Sequence, residues 1–116
     1  MQAQSTLQSC LDMVDTQIEA MEYLHNRLLD SSETPPLYLV EDVIDAQLAL
    51  ARSLSQDRPP LRLLVDEEGA AVSARLVALY AQMDMMVVPA LLADTVLLLL
   101  GDLRAMGMRL RTLAAS

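Results

Sequence analysis

Residues 83–100 read MDMMVVPALLADTVLLLL, and the meaning of Pro89 inside that apolar run decides the fold. A proline within a helix removes a backbone hydrogen bond, and its ring clashes with the carbonyl four residues back, so the chain is predicted to turn or kink near Val87. An uninterrupted helix from Asp66 to Leu113 would run ~70 Å at ~1.5 Å per residue, far beyond a compact domain of this length. A tight turn is the expectation, with a kinked long helix inside an oligomer as the alternative. The run fails as a membrane span, because Asp84, Asp94 and Asp102 bracket and interrupt it and leave less than the ~20 apolar residues that spanning requires.

Working outward from Pro89, apolar residues recur at alternating spacings of four and three, the signature of a helix with one buried face. Downstream the stripe is Leu92, Val96, Leu99, Leu103, Met106, Leu110 and Leu113; upstream it is Val65, Gly69, Val72, Leu76, Leu79, Met83 and Met86. Two further stripes precede these. Leu7, Leu11, Val14, Ile18, Met21, His25 and Leu28 define a first helix over about Thr6 to Asp30, with Ser5 or Thr6 as N-cap and Asp30 to Thr34 as the stop. Leu37, Val40, Ile44, Leu48 and Ala51 define a second, entered through Thr34-Pro35-Pro36 and ending near Leu54.

A second double proline, Pro59-Pro60, introduces the third helix, whose start lies at either Leu61 or Asp66. Leu61 to Val65 is also the one place where a short strand could form, and the acidic triplet Asp66-Glu67-Glu68 reads most simply as a solvated helix start. Pro59-Pro-Leu-Arg-Leu63 echoes Pro35-Pro-Leu-Tyr-Leu39, which two helix entries using the same first-turn chemistry explain without duplication. Four helices with short connections predict an all-α antiparallel bundle, one domain over residues 1–116 and oligomeric.

Composition agrees. Among 116 residues, 24 are Leu and eight are Met, whereas Phe, Trp and Lys are absent, so helix formers dominate and strand formers are scarce. The use of Arg at every basic position other than His25 suggests a GC-rich bacterial genome. The net charge of −8 opposes any phosphate-tracking surface, which argues against nucleic-acid binding. The N-terminal residues lack a basic region leading into an apolar stretch, and the single Cys10 fits a reducing compartment, so a cytoplasmic protein is expected.

Chemical motifs are sparse. Glu22 and His25, three apart on a helix, could aim a carboxylate and an imidazole at one point, but a di-iron bundle needs two such pairs plus two more carboxylates. Cys10 and His25 are separated by ~22 Å of helix and cannot act together as nucleophile and base within one chain. Cys10 is expected to pack as a small hydrophobe. Asp12, Asp15, Glu19 and Glu22 form an acidic ridge, read as a solvated face. With three Gly and no Lys, phosphate cradles are missing. The expectation is a protein without cofactor or metal and without enzymatic activity.

The pattern overshoots in the last helix, which carries Leu91, Leu97, Leu98 and Leu100 outside its stripe. Charge is segregated as well: residues 1–68 hold 13 acids against four Arg, a balance of −9, while residues 69–116 hold three acids against four Arg, a balance of +1. An acidic half would keep the molecule dissolved while a near-neutral half supplies contact surface. The predicted interface is Leu91, Leu97, Leu98 and Leu100 with Met85 and Met86 beside them, methionine being able to pack against differently shaped surfaces. Function is accordingly expected to be binding of another protein, as an anti-activator-like regulator that also forms a homodimer. An export or assembly chaperone is the alternative, and a metal-dependent bundle enzyme the third class.

Overall fold

Each apolar stripe becomes one helical rod. The computed structural model describes residues 2–30, 37–55, 59–85 and 88–115, and these are helical apart from the residues at the turns. In chain order the elements are α1 (Gln2–Asp30), α2 (Tyr38–Ser55), α3 (Pro59–Leu64), a π-helical turn (Val65–Gly69), α4 (Ala70–Asp84) and α5 (Pro89–Ala115). α3, the π turn and α4 form one continuous rod, because Leu64, Gly69 and Ala70 all keep right-handed helical backbone, with φ of −56°, −62° and −65°. The all-α bundle of four rods is therefore the observed architecture.

The predicted turn at Pro89 is present. α4 ends at Asp84, Met85 N–H closes its last turn on the Ala81 carbonyl at 3.0 Å, and Pro89 is the first residue of α5. Proline suits that position, since the N–H it lacks would have no intrahelical partner there. The Val88 carbonyl accepts from Leu91 and Leu92 at 3.1 and 3.3 Å. Pro59 and Pro60 likewise open α3, so Leu61 to Leu64 are helical and not extended.

Two local expectations are corrected, and a third lies outside the described residues. α1 begins at Gln2, which places Ser5 and Thr6 inside the helix and removes them as caps. The Thr34-Pro35-Pro36 entry falls outside the described residues, and α2 starts at Tyr38, with the Leu37 carbonyl accepting from Val40 and Glu41. The acidic triplet lies in mid-rod, within the π turn, where Ala70 N–H bonds to both Glu67 and Val65 carbonyls. Leu64 and Gly69 are both buried, five residues apart, and Val72, Leu76, Leu79 and Met83 follow at three and four. An α-helix cannot keep positions five apart on one face; a wider turn absorbs the extra residue and does.

The rods pack in a ring, α1 against α5 and α2, and α4 against α5 and α2, giving a body 47 Å long and 20 by 19 Å across. Val14, Met21, Leu24, Leu50, Leu54, Leu64, Leu79, Leu99, Leu103, Met106 and Leu110 are fully enclosed. Each such side chain contributes ~1.5–3 kcal/mol relative to exposure. A Cβ on Gly107 would stand 3.4 Å from Val14 Cγ1, in van der Waals contact, so α1 and α5 lie close together there.

The buried seams of α1 and α2 differ by one residue in places from the apolar stripes. On α1, Gln17 and Leu24 are buried where Ile18 and His25 were expected, and those two are only half-buried. On α2 the seam is Val40, Val43, Gln47, Leu50 and Leu54, while Leu48 is exposed. In both helices a glutamine occupies a seam position, and a reading by hydrophobicity steps over it to the apolar neighbour.

Candidate protein-contact face

α5 has three buried rows at seven-residue spacing, Leu92–Leu99–Met106, Ala93–Leu100–Gly107 and Val96–Leu103–Leu110. The second faces α1, as the approach of Gly107 to Val14 shows. Leu100 thus belongs to the core at 3% exposure, and its expected place in an outer interface is overturned. Met86 lies outside the described residues. Leu91, Leu97 and Leu98 remain 55–56% exposed and Met85 76% exposed, as the interface reading required.

These side chains lie along a strip that sequence spacing only partly anticipated. Ala90, Asp94, Leu97, Gly101, Ala105, Met108 and Thr112 recur at three- and four-residue intervals, all exposed, with Leu91 and Leu98 along one edge. Asp94 is the one charged residue on this line. Polar contacts fence it on both sides. Towards α4, Arg75 pairs with Asp102, and Thr95 Oγ1 donates to Gln82 Oε1 at 2.8 Å. Towards α1, Arg111 meets Asp15 at 3.1 Å and Arg104 meets Glu22 at 3.6 Å. The acidic ridge of α1 is thus partly engaged in joining helices, which its reading as a merely solvated face did not foresee.

Gly101 sits in the middle of the strip, and a Cβ there would meet nothing within 4 Å. An exposed mid-helix glycine costs ~0.5–1 kcal/mol relative to alanine, and among the described residues no neighbour requires it. Gly107 stands against Val14; among the described residues Gly101 stands against nothing. The exposed side of α4 continues the same character with Ala71, Ala74, Val77, Ala78 and Ala81.

The π turn is held from α5. Arg109 Nη1 donates to Glu67 Oε2 at 2.8 Å and to Glu68 Oε2 at 2.6 Å, and these bonds with the two negative charges raise the guanidinium pKa above its already high ordinary value despite some desolvation. Between the neighbouring rods α4 and α2, Tyr80 Oη donates to Glu41 Oε1 at 3.4 Å. The Glu41 charge, with burial, that hydrogen bond and Asp84 behind it, pushes the phenol pKa above 10.0.

Two of the concavities lined by the seam glutamines show how those amides are placed. Between α1 and α2 a groove of about 390 Å³ is lined by Asp12, Met13, Thr16, Gln17, Ala20, Leu39, Asp42, Val43 and Ala46. Gln17 is 2% exposed, and neither its Nε2 nor its Oε1 has a hydrogen-bond partner. Leaving such a group unsatisfied costs about 1–3 kcal/mol. The second, about 180 Å³, lies beside the π turn among Gln47, Val65, Gly69, Ser73 and Met106. There Gln47 Nε2 donates weakly to Met106 Sδ at 3.7 Å while its Oε1 is unpartnered. Sequence reading missed both glutamines; the signal was the 3–4 register of the buried neighbours, into which each fits.

Of the metal-like pair, Glu22 faces Arg104 at 3.6 Å and His25 is half-buried beside the α1 seam. Among the described residues no three His, Cys, Asp or Glu side chains converge. Cys10 is buried in the core, with 1% exposure. Among the described residues no helix is long and apolar enough to cross a membrane. No family model matches the chain, and neither a curated protein nor a solved structure matches it.

Proposed function

We propose that this protein is a non-enzymatic regulator that binds other proteins through the outward strip of α5, and that the strip pairs two copies of the chain when no other partner holds it. The supporting observation is Gly101: a residue that weakens its own helix, exposed, with open space where a side chain would stand, and flanked by half-exposed leucines. A backbone left bare at the centre of an apolar strip lets a second helix approach closely.

Charge favours an antiparallel crossing about Gly101. Asp94 lies on the N-terminal side of that point and Arg104 and Arg111 on the C-terminal side, so antiparallel pairing sets Asp94 of one copy near the arginines of the other. Parallel pairing would set like beside like. The strength is modest. Leu91, Leu97, Leu98 and Met108 have about half their side-chain burial still to gain, or ~1 kcal/mol each and ~8 kcal/mol for a symmetric pair. Association costs ~4 kcal/mol at the least, which leaves ~4 kcal/mol and a dimer of millimolar affinity or weaker. A contact of that strength exchanges, as a regulator acting by occupying a partner's helix-docking surface requires. The reading places the protein in the bacterial cytoplasm.

Light scattering across a concentration series tests this. The native chain is expected to rise from 12.7 kDa towards twice that mass. Leu97→Glu with Leu98→Glu is expected to hold it at the monomer with helicity by circular dichroism unchanged. A native chain that stays monomeric at high concentration, or a double variant that still dimerises, refutes the reading.

A further inference from the structure

We propose that the groove between α1 and α2 docks a cationic amphipathic helix of a partner protein, at a surface separate from the α5 strip. The groove is walled by two rods alone, with lining positions 13, 17 and 20 on one and 39, 43 and 46 on the other. Those are two turns of each helix, ~10 Å of wall, the frame into which the side-chain ridge of a third helix fits. Met13, Leu39 and Val43 supply apolar contact, and Ala20 and Ala46 leave room for larger side chains from the occupant.

The charge of the occupant follows from the rim. Asp12 stands on the α1 wall and Asp42 on the α2 wall, no basic residue lines the groove, and among the described residues neither carboxylate is ion-paired. The surrounding half of the chain, residues 1–68, carries a balance of −9. A helix with apolar residues on one face and Arg or Lys on its borders complements both features. Gln17 gives an independent pointer. Its amide is enclosed beneath the groove without a hydrogen-bond partner. On docking, the Gln17 side chain turns towards the occupant, and a hydroxyl or amide there supplies the missing bond.

The test uses two fluorescein-labelled helical peptides of about four turns, each with leucines at i, i+4 and i+7 and one serine on the apolar face, bordered by Arg in one and by Glu in the other. Anisotropy at low salt is expected to show saturable binding of the Arg peptide to the full chain, at least about tenfold tighter than its Glu twin and weakening as salt rises. Asp12→Arg with Asp42→Arg, both at exposed positions, is expected to reverse the preference. Ala46→Trp, which fills the groove, is expected to abolish binding, its fold checked by thermal melting. Leu97→Glu with Leu98→Glu is expected to bind the Arg peptide as the native chain does, so loss of the α5 contact and loss of this one are separately visible. Equal binding of the two peptides, no binding of either, or binding abolished by the α5 variant and untouched by the charge reversal overturns the proposal.

Discussion

Gly101→Ala separates the needs of the subunit from those of an assembly, because the two predict opposite signs. Within one chain the new methyl meets nothing within 4 Å, so it neither clashes nor packs. What remains is helix propensity, which favours alanine by ~0.5–1 kcal/mol at an exposed interior position. For a domain of this size that raises Tm by roughly 2–5 °C. In a pair of α5 helices crossing at this residue, two methyls enter at the point of closest backbone approach. The helices must separate, and the flanking contacts of Leu97, Leu98 and Met108 loosen together. A loss of ~1.4 kcal/mol there is a tenfold weaker dimer.

Calorimetry at a concentration where the chain is monomeric reads the first effect, and sedimentation equilibrium reads the second. Gly101→Leu sharpens the distinction, since it adds more apolar surface to an already apolar strip. If the strip associated merely by being greasy, leucine would strengthen the dimer; if the bare backbone matters, leucine abolishes it. A Gly101→Ala protein that melts higher and dimerises as well as the native one or better refutes the crossing at Gly101. One that melts lower as a monomer refutes the reading that this position is open.

Gln17→Leu is expected to raise thermal stability by about 1–3 kcal/mol, measured by urea unfolding, because it removes a buried amide that has no partner; unchanged or lowered stability would show the amide to be satisfied. Deleting Asp66 is expected to convert the π turn to α-helix and leave cooperative folding intact, since Leu64 and the residue now four positions on still share a face, whereas deleting Ala74 rotates the seam of α4 and unfolds it. Equal damage from both deletions, seen by circular dichroism, would contradict that account of the turn. In alkaline titration followed by tyrosinate absorbance, Tyr80 is expected to ionise above 10.0, and Glu41→Gln to bring it down. A folded-state pKa raised in this way means that Tyr80's contribution to stability is present below pH 10.0 and lost as pH climbs through the raised value, so Tyr80→Phe is expected to flatten that part of the stability profile.

The legible parts of the fold were those where burial and hydrophobicity coincide. The stripe positions Val72 to Met83 of α4 and Leu92 to Leu110 of α5 are all buried, because each is Leu, Val or Met, although α5 buries Ala93, Leu100 and Gly107 as well. α1 and α2 were shifted by one residue in places because Gln17 and Gln47 are buried, and a polar side chain gives no sign in its own sequence position that it faces inward. The π turn escaped because a five-residue seam spacing imitates four once Val65 is taken in place of Leu64. The candidate face was legible in Leu91, Leu97 and Leu98 and misread at Leu100, since four consecutive leucines on a helix point in four directions and only packing by α1 decides which are covered. Gly101 escaped for another reason: a glycine in an apolar run looks like a weak point until the space around it is known.

Charge segregation along the chain then acquires a structural meaning. The arginines of α5 are drawn to its flanks by Asp15, Glu22, Glu67 and Glu68, contributed by α1 and the π turn. Those pairs hold the rods in register and also clear the outward strip of charge, leaving Asp94 as its one ionised group. The carboxylates that α5 does not reach, Asp12 and Asp42 among them, stay on the α1–α2 side. A single set of ion pairs thereby gives one body two unlike surfaces, one electrically quiet with a bare backbone at its centre, the other an acidic-rimmed groove. Partners for the first are selected mainly by shape and for the second mainly by charge, so raising salt is expected to weaken the second more than the first.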